Sequence, residues 1–208
     1  MLDKKVVPLL KPPLKNIAQL IHGKGISADT VTFVGFLIGL LCVVALAFEQ
    51  YLLALALLIV NRLADGIDGE LARLQSATDA GGFLDITLDF IFYALFPLGF
   101  AFANVELNAL PAAVLIASFV GTGASFLAFS SLAKSAGIEH PEFAYKSLYY
   151  LDGLAEGTET ILCFAFMCLF PTHFATIAWV FTAICLITAV NRVAMGYATL
   201  RKNERLNS

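Results

Sequence analysis

NRLADGIDGELARLQSATDAGGFLDITLDFIF, residues 61–92, carries six of the 16 acidic residues of a 208-residue chain. They are Asp65, Asp68, Glu70, Asp79, Asp85 and Asp89, and the sequence on either side is apolar enough to sit in lipid. Carboxylates at membrane depth are costly, so a cluster of them marks a functional site. Helical spacing sharpens the point. Asp65, Asp68, Gly69 and Ala72 recur at i, i+3, i+4 and i+7 and share one helical face. Asp85 and Asp89, at i and i+4, share a face of the next helix. Two such faces together describe a pocket for a cation and a phosphorylated molecule.

Working outward, hydrophobic residues make up 59% of the chain and charged residues 14%, against about 45–50% and about 25% in soluble domains. Mean hydropathy is +0.82. The apolar runs have helical length and lack the alternation of a β-barrel. The expectation is one all-α integral membrane domain, residues 1–208, with no nucleic-acid partner. Cys42, Cys163, Cys168 and Cys185 fall inside apolar runs without metal-ligand spacing, so they read as small buried side chains. Residues 1–30 hold five lysines and three prolines but no signal-peptide core, so the first spanning helix is expected to direct insertion.

Taken in order, Leu14, Ile17, Ala18 and Ile21 form an apolar stripe after Pro12-Pro13, flanked by Lys11, Lys15 and Lys24. This reads as an amphipathic helix on the membrane surface, packed against the bundle, or both. Residues 1–27 therefore comprise an interfacial helix and a turn. Six spanning helices are expected within about 28–201: 31–48, 51–74, 81–103, 110–133, one ending near 170, and one ending near 200. A polar tail, 202–208, follows. Residues 134–156, with Tyr145, Tyr149 and Tyr150, read as a second interfacial segment.

With six spans, the breaks at 49–50, 104–108 and 171–173 share one side and hold none of the 13 lysines and arginines. Positive residues mark the cytoplasmic side. Both termini and the loop between the two aspartate pairs are expected there.

Hard oxygen ligands suit Mg²⁺, which is held by a few carboxylates together with substrate phosphates. Asp65, Asp68 and Asp85 offer such ligands from two helices, and a bound metal relieves their mutual repulsion. Gly69 and Ala72 leave the same face open for close approach. Arg73, and Arg62 one turn before Asp65, can reach a phosphate. An aspartate not consumed by the metal can serve as general base.

Asp65-x-x-Asp68-Gly69-x-x-Ala72-Arg73, a gap, then Gly81-x-x-x-Asp85-x-x-x-Asp89 resembles the signature of the CDP-alcohol phosphotransferase family. The gap of seven residues is one shorter than the family's usual spacing, and the shortfall lies in a loop. GISADTVTFVG, before and into the first spanning helix, also resembles the family's amino-terminal segment. The resemblance implies Mg²⁺ or Mn²⁺ on Asp65, Asp68 and Asp85, with Asp89 sharing in coordination. It implies that Asp89 deprotonates the acceptor hydroxyl, and that Gly69, Ala72 and Arg73, with Arg62 nearby, bind the CDP-linked alcohol. The donor it suggests is CDP-diacylglycerol in a bacterial inner membrane, with CMP released, and a homodimer is the expected assembly.

Two acceptor chemistries stay open. Lys134, Lys146 and Arg192 would suit one phosphate, although each also reads as an interfacial anchor. Asp152, Glu156 and Glu159, with the three tyrosines, would suit a cationic amine, although the acids also match a helix N-terminus. A transporter using intramembrane aspartates is the rival from another class, but it leaves Gly69, Ala72 and Arg73 at those spacings unexplained.

Overall fold

A computed structural model describes residues 3–136, 138 and 153–207. Among these residues seven helices follow one another: α1 (Asp3–His22), α2 (Ala28–Ala47), α3 (Tyr51–Gln75), α4 (Asp79–Ala103), α5 (Val105–Ser135), α6 (Gly157–Leu169) and α7 (Phe174–Asn207). A short 3₁₀ turn, Pro171–His173, joins the last two. In space α3 packs on α2, α2 on α4, α4 on α5, and α5 on α7; α6 touches both α7 and α3 and closes the ring. Helix α1 lies outside the ring against α3.

Local sequence explains most of the boundaries. Ser27 caps α2 by accepting from the Thr30 amide at 3.2 Å, and Thr78 caps α4 by accepting from the Gly81 amide at 3.0 Å. Ser76, at φ 69°, ends α3 in the left-handed region. Three boundaries differ from the sequence expectation. The polar residues 105–108 are not a loop: Asn104 caps α5 through the Leu107 amide, and Asn108 donates back to the Phe100 carbonyl at 3.0 Å. Helix α1 begins well before Pro12-Pro13, because the carbonyls those prolines leave unbonded belong to exposed residues, Pro8 and Leu9. The tail beyond residue 201 is polar but helical through Asn207, and Asn203 donates to the Ala136 carbonyl at the end of α5.

Among the described residues, four helical segments, 28–47, 79–103, 105–135 and 171–205, are long and apolar enough to cross a membrane. Helix α3, at 25 residues, is about 38 Å long, but its second half is charged. Helix α6, at 13 residues, is about 20 Å long, short of a hydrocarbon core of about 30 Å.

Phenylalanines fill the centre of the bundle. Phe96 stacks on Phe164 at 3.9 Å between ring centroids, and Phe100 on Phe174 at 4.4 Å. The four cysteines are free, and Cys42 donates to the Ala54 carbonyl. Two glycines of α5 lie against neighbouring elements. A Cβ on Gly123 would strike the Phe90 ring at 2.5 Å, and one on Gly121 would touch Ala189 at 3.5 Å. Helix α1 both packs and faces outward: Ala18 is fully buried and Leu14 fits against Gly66, whereas Leu9 and Leu20 are exposed.

Candidate active site

Helices α3 and α4 both pack on α2, and the three surround one pocket that opens to solvent. Asp65 and Asp68 enter it from α3, Asp85 and Asp89 from α4, and Thr32 and Gly35 line it from α2. Arg62 and Asn61, one turn before the first aspartate pair, complete the polar wall. The short gap between Arg73 and Gly81 therefore leaves both acidic faces on a common pocket. Gly81 owes its place to packing, since a Cβ there would lie 2.9 Å from Asp29 Oδ1 at the start of α2.

Electrostatics divides the four carboxylates. Arg62 Nη1 donates to Asp89 Oδ1 at 2.6 Å and lies 3.7 Å from Asp65 Oδ1. The same guanidinium donates from Nε to Asn61 Oδ1 at 2.8 Å and from Nη1 to the Tyr93 hydroxyl at 3.3 Å. It rests over the rings of Phe92 and Tyr93, 5.1 and 5.5 Å from their centroids. Asn61 is anchored in turn, donating to the Gly35 carbonyl at 2.8 Å. Arg62 is thus turned inward, with its side chain 15% exposed, rather than held out toward a substrate phosphate.

Gly69, Ala72 and Arg73 follow the aspartates along α3, beyond the pocket lining. Arg73 is 54% exposed and pairs with the buried Glu70 at 2.5 Å. A Cβ on Gly69 would meet the Arg73 guanidinium at 3.8 Å, an ordinary contact distance.

None of the acceptor candidates that the structure describes lines the aspartate pocket. Arg192 is buried on α7, donates to the Thr122 carbonyl at 3.2 Å, and lies over the Phe126 ring. Glu156 is buried and accepts from the Gly153 amide at 3.1 Å, and Gly153 also abuts Arg192. Arg192 and Glu156 therefore border one spot at the base of α6. Lys134, near the end of α5, is exposed. Lys146, Asp152 and the three tyrosines lie outside the described residues.

Among the described residues, no three His, Cys, Asp or Glu side chains converge closely enough to hold a metal ion. The donor chemistry nevertheless fits a hard divalent cation, with four carboxylates from two helices on one pocket wall. Asn61, Tyr93 and Thr32 were not singled out from sequence. Asn61 lies one turn before Asp65 and Tyr93 one turn after Asp89, so extending each acidic face by four residues would have reached both.

Comparison with known proteins adds a family. The sequence profile of the family described as CDP-alcohol phosphatidyltransferase matches residues 26–191. The chain is 52% identical over 205 residues to the inner membrane protein YnjF of Escherichia coli, covering 99% of this chain and all of that one. It is 37% identical over 86 residues to an archaetidylinositol phosphate synthase of Pyrococcus horikoshii, covering 41% of this chain and 46% of that one. The fold is that of the Mycobacterium tuberculosis phosphatidylinositol phosphate synthase solved with CDP-DAG bound, at TM-score 0.70 and 18% identity, over 88% of this chain and 93% of the other. The same synthase in complex with manganese and citrate aligns at TM-score 0.68 and 17% identity, over 88% of each chain.

Proposed function

The chain belongs to the CDP-alcohol phosphatidyltransferase family, and on that premise we propose that it moves a phosphatidyl group from CDP-diacylglycerol to the hydroxyl of a small polar alcohol, releasing CMP. The observation that carries this is the meeting of all four motif aspartates on one pocket wall. CDP-DAG bound to a solved protein of the same fold supports the lipid donor, and manganese bound to it supports a divalent metal.

Asp65, Asp68 and Asp85 would hold Mg²⁺ or Mn²⁺, with Asp89 at the edge of the set. When bound, that ion neutralises the donor pyrophosphate and orients it. Gly69 and Ala72 leave the α3 face open beyond the aspartates for the cytidine end. Arg73, half in solvent, meets a phosphate by leaving the buried Glu70 carboxylate. Asp89 takes the proton of the acceptor hydroxyl. The acceptor oxygen attacks the phosphorus that carries the diacylglycerol, the bond from that phosphorus to the bridging oxygen breaks, and CMP leaves with the electron pair.

The protein is read as a bacterial inner-membrane enzyme, supported by the name of its E. coli relative and by the four long apolar segments. Six crossings are proposed, with α3 and, despite its length of about 20 Å, α6 added to the four long segments. The lysine and arginine distribution puts the pocket and both termini on the cytoplasmic side, where nucleotide and metal are available. The acceptor is either a phosphorylated alcohol met by Arg192, Lys134 and Lys146, or an amine alcohol met by Glu156. Helices α3 and α4 run unbroken past the aspartates, so nothing in them favours the interrupted helices of a transporter.

The test is CMP release from CDP-diacylglycerol by purified protein, with Mg²⁺ or Mn²⁺ and a panel of alcohols. Asp89→Asn is expected to lower turnover by about 10²–10⁴-fold while CDP-diacylglycerol still binds. No CMP release with any acceptor, together with an ion flux altered by Asp89→Asn, would overturn the enzyme assignment.

A further inference from the structure

Arg62 is not among the motif positions that carry the family resemblance, yet it is the most heavily engaged cation at the pocket. Its guanidinium is permanently charged, so the four aspartates share the pocket with one fixed positive charge before any metal arrives. The contacts are unequal. The 2.6 Å bond goes to Asp89, whereas Asp65 is 3.7 Å away and Asp68 and Asp85 are not paired with it at salt-bridge distance. Two aromatic faces, the Tyr93 hydroxyl and Asn61 hold the guanidinium from other sides. Swinging out to a phosphate would break every one of these contacts. Arg73, half in solvent on the same helix, breaks one.

We propose that Arg62 is a positioning residue, an internal cation that fixes Asp89 and keeps that carboxylate out of the metal-ligand set. One oxygen of Asp89 is committed to Arg62, so the acceptor proton goes to the other, in an orientation set by Arg62 rather than by a metal. The three remaining aspartates are the metal ligands, and Arg62 weakens their hold on a divalent ion by its own charge. This rests on Asp89 being the base of the transfer reaction.

Two variants of the full chain, Arg62→Gln and Arg62→Lys, in lipid nanodiscs test it. Mn²⁺ binding is measured by titration without acceptor, and CMP release gives kcat and KM. Arg62→Gln removes the competing charge and frees a fourth carboxylate, so Mn²⁺ is expected to bind at least about tenfold more tightly. In the same variant kcat falls by about 10–100-fold with KM for CDP-diacylglycerol nearly unchanged. Arg62→Lys keeps the charge, so its Mn²⁺ affinity stays at the wild-type level while kcat is only partly restored.

Unchanged or weaker Mn²⁺ binding in Arg62→Gln would overturn the proposal, as a merely structural role weakens the site. A raised KM with intact kcat would also overturn it, since Arg62 would then be a phosphate ligand. Should Arg62→Gln not survive purification, wild-type kcat in Arg62→Lys would overturn it, and lowered kcat at wild-type Mn²⁺ affinity would support it. If the wild type releases no CMP with any acceptor, the transfer reaction falls, and Mn²⁺ binding still decides whether Arg62 competes with the metal.

Discussion

Gly39→Ala tests whether the pocket wall has slack. Gly39 lies on α2 where it crosses α3 and α4, and a Cβ there would stand 2.8 Å from Phe92 Cδ2 and 3.1 Å from Asn61 Nδ2. Optimal carbon contact is about 3.5 Å, so the added methyl overlaps Phe92 by roughly 0.7 Å. Phe92 cannot turn away easily. It is 1% exposed and packs edge-on against Phe96, which is itself stacked on Phe164. Asn61 is pinned to the Gly35 carbonyl and to Arg62. Helices α2 and α4 must part, at a cost of about 1–3 kcal/mol for overpacking. For a chain of this size each kcal/mol lowers the melting temperature by about 2–4 °C, which gives an expected fall of about 2–12 °C. Thermal unfolding of the purified protein, followed by fluorescence-detected gel filtration after heating, reads this directly. Gly82→Ala is the control, because a Cβ there meets nothing within 4 Å. A Gly39→Ala protein that melts with the Gly82→Ala control would refute the contact.

Two further expectations follow from other parts of the molecule. Chelation of divalent ions by EDTA should abolish CMP release, and excess Mn²⁺ should restore it; activity that survives exhaustive chelation would remove the metal from the mechanism. Gln75→Ala should loosen the turn between α1 and α2, because Gln75 accepts from the Ala28 amide at 3.0 Å and donates to the Ile26 carbonyl at 2.7 Å. Two such bonds contribute about 1–3 kcal/mol, so trypsin should cut after the exposed Lys24 measurably faster in the variant than in the wild type.

The acidic faces of α3 and α4 were legible in the sequence because helical spacing alone aligns Asp65 with Asp68 and Asp85 with Asp89. Long apolar runs announced α2, α4, α5 and α7 for the same reason. The start of α5 was not legible, since residues 104–108 have the composition of a loop and only the cap at Asn104 and the return bond of Asn108 make them helical. Arg62 was the hardest residue to place. From α3 alone it can point outward to a phosphate or inward to a carboxylate. What decides is the combination of Asp89, Tyr93 and Phe92, all on α4, whose register against α3 no one-dimensional pattern gives. Gln75 was missed for the same kind of reason, its partners lying 47 and 49 residues earlier.

The three residues 76–78 between α3 and α4 have a consequence of their own. Each residue of an α-helix turns the chain by about 100°, so within one unbroken helix a lost residue would throw the acidic faces out of phase. Ser76 leaves α3 at positive φ and Thr78 starts α4 anew, which makes the joint a break in the angular count rather than a continuation of it. A residue lost there leaves Asp85 and Asp89 where they were. The same loss two turns later, inside α4, would rotate Asp89 away from Arg62 by more than a quarter turn. Length variation in this chain is therefore tolerable at 76–78 and not between Gly81 and Asp89.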